Sequence, residues 1–156
     1  MPYNLDERRS LGVNPTLVLK FIATSFFYLL VGLAVFAADI LGVFMVSHDA
    51  IFVLWLFGFV AMIIFGLSYM FSSGLTRSSA HMKSTVSKEY YLLNAGVILF
   101  FTGFSGAVTG IAGKIGAIIG LVSIIIAVSL HLINIALVAT TRKVQKSETQ
   151  SFADDY

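Results

Sequence analysis

The chain contains no cysteine, so disulfides, thiolate metal sites and cysteine nucleophiles are excluded outright. Charge is scarce as well: 12% of the 156 residues are Asp, Glu, Lys or Arg, against about 25% in an ordinary soluble domain. Missing too are HExxH, a Ser/His/Asp set, paired catalytic carboxylates, and any GxxxxGK[ST] or GxGxxG following a strand, which removes the common signatures of hydrolases and of nucleotide-binding proteins. What fills the space is apolar. Hydrophobic residues make up 58% of the sequence and the mean hydropathy is +0.92, the composition of an integral membrane protein.

Residues 50–71 carry no formal charge, and thirteen of them are Leu, Ile, Phe or Val. As a helix rising 1.5 Å per residue the stretch reaches about 33 Å, enough for a hydrocarbon core of about 30 Å. Three further spans are expected at about 17–46, 90–108 and 115–139. Asn14 and Pro15 are suited to opening the first, with a capping side chain followed by a proline at the first helical position. That apolar stretch is longer than a membrane needs, which places Asp39 at the bilayer edge with 40–46 lying along it. Arg8 and Arg9 precede it in the manner of a signal peptide, but an apolar core of about 20 residues exceeds the 7–15 of a cleaved signal and predicts a retained span. The short polar break Ser47, His48 and Asp49 predicts an antiparallel hairpin, its tip solvated and the second helix capped by Ser47 or Asp49.

The expected fold is therefore all-α: a polytopic, four-transmembrane-helix antiparallel bundle. An N-terminal arm (1–14) precedes the bundle (15–143), and a polar, mobile tail (144–156) follows it. The polar stretch 72–89 is expected to be a loop, and the glycines around Lys114 a tight turn between the last two spans. Nine of the ten Lys and Arg residues lie in or beside the arm, the middle loop and the tail, with Lys114 alone on the other side. The positive-inside rule then puts both termini in the cytoplasm, in a multi-pass protein of the cytoplasmic membrane. No feature points to nucleic acid; the lipid bilayer and other integral membrane subunits are the expected partners.

Ser123, Ala127, His131 and Asn134 share one face of the fourth span. By helix rise His131 lies about 12 Å and Asn134 about 8 Å inside the cytoplasmic end, with Asn94 about 6 Å and Tyr69 about 3 Å inside on their own helices. Tyr69, Asn94, His131 and Asn134 are thus expected to form an interhelical polar cluster. Its bland role is hydrogen-bonding glue; its sharper roles are haem or metal ligation, proton relay or quinone contact. On the opposite side Asp39, His48 and Asp49 supply oxygen and imidazole groups without a recognised ligand spacing, and no metal site is assigned to them. Gly58, Gly66, Gly106, Gly110, Gly116 and Gly120 are expected to be helix-packing positions, where small residues let backbones approach.

Two stretches carry a family resemblance. Residues 54–71 (LWLFGFVAMIIFGLSYMF) and 90–104 (YYLLNAGVILFFTGF), with their G-F-V, I-F-G-x-x-Y and L-L-N-x-G elements, resemble consecutive helices of haem-copper oxidase subunit I. The nitric oxide reductase-like branch and the small four-helix proteins related to it are the nearest match in pattern. The resemblance implies haem and oxygen or nitric oxide chemistry in a respiratory, electron-transport membrane. The family's histidine positions are occupied here by Val53 and Met70, so the expectation is a bundle that keeps the shape without the cofactor.

The leading reading is a non-catalytic accessory or structural subunit of a multi-subunit membrane redox complex, a terminal oxidase or membrane monooxygenase, with no cofactor of its own. The alternative is a small haem-binding redox protein or gas sensor using His131 with Met70 or His48 as axial ligands. A transporter or channel is the least favoured.

Overall fold

The computed structural model describes residues 15–43, 45–73 and 80–154, and these are helical apart from their connections. Helix α1 runs Pro15–Ile40. A second rod is built from α2 (His48–Val53), a π-helical stretch Leu54–Ala61 and α3 (Met62–Ser73). Its joints at Leu54 and Met62 keep right-handed helical dihedrals, so the rod is continuous. Helix α4 spans Ala80–Phe104 and α5 spans Gly110–Asp154. Three stretches, Thr16–Ile40, His48–Phe71 and Gly110–Leu137, are long and apolar enough to cross a membrane. The chain is thus an all-helical protein with the makings of a membrane protein. Helix α4 is more mixed, because Lys88, Glu89 and Asn94 interrupt its apolar residues.

The hairpin between α1 and the second rod is closed by a carboxylate. Asp39 Oδ1 accepts a hydrogen bond from the Val46 amide at 3.0 Å, and Gly42 turns the chain with φ of 68°. Asp39 therefore sits in the last turn of α1, and the chain turns at 41–43. Ser47 occupies the cap position of α2 without a side-chain capping bond. The two rods are locked by exchanged aromatics. A Cβ on Gly58 would fall 2.7 Å from Tyr28 Cγ, and one on Gly32 would fall 2.2 Å from Trp55 Nε1. Each helix thus seats a large ring in the other's glycine notch, the close approach that small residues permit. Gly66 completes the face, meeting Phe21 and Ile22 of α1.

Helices α4 and α5 approach more closely still. A Cβ on Gly120 would meet Phe100 N at 2.5 Å and Gly96 O at 2.7 Å, and one on Gly103 would meet Gly113 O at 2.4 Å. Of the six glycines expected to pack helices, Gly58, Gly66 and Gly120 do so, and Gly32, Gly96, Gly103 and Gly113 join them. Gly106 and Gly110 do not. Their φ values of 84° and 76° and the open space around them make them turn residues in the 105–109 connection, where a left-handed backbone favours glycine. Gly116 faces only Leu99 O, at 3.9 Å. Lys114, expected in the turn, lies inside α5.

Two other boundaries move. Helix α4 begins at Ala80, ten residues before the expected start, so Glu89 is helical and not a loop residue. Helix α5 continues to Asp154 through the expected tail, for 140–154 contain no glycine or proline to stop it. The N-terminal arm lies outside the described residues.

Candidate functional site

The second rod, α4 and α5 each send polar side chains to one point. Val86, Glu89, Leu93 and Val97 of α4 are all 0% exposed, and their spacing of three, four and four defines that helix's inner stripe. Glu89 is the charged member of the stripe. Opposite it stand Tyr69 at the end of the second rod and His131 and Asn134 on α5, all buried. His131 lies six residues before Leu137, the last residue of its apolar span, a depth of about 9 Å.

Glu89 is the acceptor at the centre. The Tyr69 hydroxyl donates to Oε2 and the Asn134 amide donates to Oε1. His131 Nδ1 lies 3.1 Å from the Tyr69 oxygen and 3.4 Å from Glu89 Oε2. On the far side of the ring, Nε2 meets Ser68 Oγ at 3.0 Å, and Ser68 in turn donates to the Phe65 carbonyl at 2.9 Å. With the hydroxyl protons of Ser68 and Tyr69 committed to those acceptors, each imidazole nitrogen faces an oxygen that has only lone pairs to offer. His131 and Glu89 thus form a buried imidazole–carboxylate contact, with Nδ1 3.4 Å from Oε2. Two rings flank the imidazole. Phe65 stacks on the imidazole with centroids 3.7 Å apart and planes 6° from parallel, and Tyr69 meets it edge-on at 5.0 Å.

Of the four residues expected to cluster, the structure brings together Tyr69, His131 and Asn134. Asn94 belongs elsewhere. Its Oδ1 accepts from the Tyr28 hydroxyl at 3.0 Å and its Nδ2 donates to the Tyr90 carbonyl at 2.8 Å, while Thr24 and the Tyr90 hydroxyl pair at 2.8 Å. These rungs tie α1 to α4. Glu89 and Ser68 were missed by sequence reasoning. Glu89 lies beside Lys88 at the polar border of the span and so reads as loop, although the recurrence Val86, Glu89, Leu93, Val97 was there to place it on the inner face.

The candidate haem ligands do not converge. His48 opens the second rod and Met70 lies 22 residues further along it, about 33 Å away by helix rise. Met70 is 57% exposed on the rod's outer side, and both nitrogens of His131 are engaged within the cluster. The physical reason is register: Met70 follows Tyr69 by one position, about 100° around the helix, so when Tyr69 points inward Met70 points away. Among the described residues, no three or more His, Asp or Glu side chains gather as a metal-ligand set.

What the arrangement can do is bind three helix segments at one level around a buried carboxylate. A buried pair so fully bonded is costly to break, because removal of either partner leaves the other's polar atoms without an acceptor or donor. Comparison of the chain with family models, with curated proteins and with solved structures finds no match, so the likeness of 54–71 and 90–104 to oxidase helices stands on those motifs alone.

Proposed function

We propose that the chain is a non-catalytic structural subunit of a larger membrane redox complex, of the terminal oxidase or membrane monooxygenase class, built as a four-span antiparallel bundle with both termini in the cytoplasm. One observation carries the reading: among the described residues, the buried carboxylate, imidazole and carboxamide side chains of the interior are engaged with neighbouring side chains. Glu89 accepts from Tyr69 and Asn134, His131 is held between Ser68 and the Glu89–Tyr69 pair, and Asn94 is held between Tyr28 and Tyr90. Such groups hold helices together and leave no free ligand for a reacting molecule. The outer surfaces suit lipid and neighbouring spans, with Leu19, Phe27 and Leu30 of α1 and Ile118, Leu132 and Leu137 of α5 each about 60% exposed or more. The class of host comes from the oxidase-like motifs, and the orientation from the distribution of Lys and Arg.

Mass spectrometry of the assembly released from its native membrane by a mild detergent tests this reading. The expected spectrum contains the chain bound to larger integral membrane subunits, with haem mass assigned to those subunits. A lone monomer overturns the proposal, and haem retained by the isolated chain replaces it with the haem-protein reading.

A second reading, proton relay, is favoured by one specific observation: His131, inside the apolar span Gly110–Leu137, contacts the buried carboxylate of Glu89 on α4. In proteoliposomes with an imposed pH gradient, a relay dissipates the gradient faster than protein-free vesicles and loses that excess in Glu89→Gln. The structural reading expects wild type and Glu89→Gln to match the protein-free rate.

A further inference from the structure

At the other end of the molecule, by the hairpin, a cavity of about 330 Å³ is lined by Phe36, His48, Asp49, Ile51, Phe52 and Trp55. The interior polar network does not reach it, and among its walls Ile51, Phe36 and Trp55 also pack the hairpin. Three of its six walls are aromatic. Phe36 and Trp55 are set edge to face with centroids 5.7 Å apart, and Phe52 is 60% exposed. Asp49 is exposed at the same cavity, and among the described residues it has no ion-pair partner. No Lys or Arg occurs anywhere in 21–76, so Asp39 and Asp49 make this end of the hairpin a region of net negative charge.

Aromatic faces carry negative quadrupolar charge and attract cations, organic ammonium groups above all. A carboxylate beside such rings selects for the same sign. The position selects for the source: His48 begins the apolar stretch His48–Phe71, so the cavity opens where a span of that length meets the headgroup layer. We propose that this cavity is a binding site for the ammonium group of a phospholipid headgroup of the choline type, with Phe36, Phe52 and Trp55 as aromatic walls and Asp49 as the counter-charge. The site anchors a lipid at the hairpin. It rests on the membrane location alone and is independent of the identity of any host complex.

Trp55 is the sole tryptophan of the chain, so its fluorescence reports the site directly. The full-length protein in maltoside micelles is titrated with dihexanoyl phosphatidylcholine, dihexanoyl phosphatidylglycerol and tetramethylammonium chloride. The expected result is a saturable change with phosphatidylcholine, about tenfold weaker binding of phosphatidylglycerol, and about tenfold weaker binding of phosphatidylcholine in Asp49→Asn. Phe52→Leu, at an exposed position that folding does not depend on, weakens it by about threefold. Equal midpoints for the two lipids, or an unchanged midpoint in both variants, overturn the proposal. A midpoint for tetramethylammonium equal to that for phosphatidylcholine reassigns the site to soluble amines and overturns the lipid assignment.

Discussion

Replacing Glu89 by alanine is expected to lower the stability of the folded protein in detergent by about 3–5 kcal/mol, the scale for stripping one partner from a buried, hydrogen-bonded carboxylate–imidazole contact. A typical hydrogen bond between helices in a membrane is worth about 0.6 kcal/mol, so three lost contacts would sum to about 2 kcal/mol. The larger figure applies because Glu89 is the common acceptor: its loss leaves the buried Tyr69 hydroxyl, the Asn134 amide and His131 Nδ1 without that partner. Substituting His131 by leucine alone is expected to cost less than Glu89→Ala, since Tyr69 and Asn134 still donate to the carboxylate. In the double variant Glu89→Leu, His131→Leu neither partner is left facing an empty place, and much of the loss is restored. Thermal or denaturant unfolding of the four proteins closes the cycle. Strict additivity of the two single effects would show that the side chains do not form a pair.

Gly120→Leu is expected to separate α4 from α5. The Cβ of any residue at 120 falls within 3.0 Å of Phe100 N, Phe100 Cα and Gly96 O, all of them backbone atoms that no rotamer change can move aside. Overpacking of an interior costs about 1–3 kcal/mol where neighbours can shift, and here the helices themselves must part. Because Glu89 lies on α4 and His131 and Asn134 on α5, the same displacement stretches the polar network. Loss of compactness by limited proteolysis and a drop in unfolding temperature are the readouts. Gly116→Ala provides the comparison on the same helix: its Cβ meets nothing closer than Leu99 O at 3.9 Å, so the alanine gains about 0.5–1 kcal/mol in helix propensity. Equal destabilisation by the two variants would remove close backbone contact as the cause.

The rods themselves were legible because long charge-free stretches have few alternatives in physical terms, but the turn expected at 47–49 lies earlier, at 41–43, and His48 and Asp49 are already helical. His131, Asn134 and Tyr69 were legible because a polar side chain in an apolar helix must find a partner. Their common acceptor was harder to see. Glu89 sits at the polar border beside Lys88, where a charge reads as solvated until the helix is known to start at Ala80. The partner of Asn94 lies on α1, 66 positions back in the sequence, and periodicity within one helix carries no information about which neighbour a side chain will meet. The glycines divide for a related reason. Gly106 and Gly110 share the spacing of packing glycines, but backbone dihedrals, not spacing, decide whether a glycine serves a turn or an interface. The π-helical stretch 54–61 had no mark in composition; Gly58 and Trp55 within it are explained by the rings and notches of α1 opposite.

Helix α5 has a mechanical consequence. Its apolar part ends at Leu137, yet the same helix runs on to Asp154, a projection of about 25 Å. A helix that does not bend at the membrane surface acts as a lever arm. Tilting the buried portion by about 10° swings the far tip by about 4 Å, a displacement that a protein resting against the tip would feel as a push, with no ligand or chemical step needed to convey it.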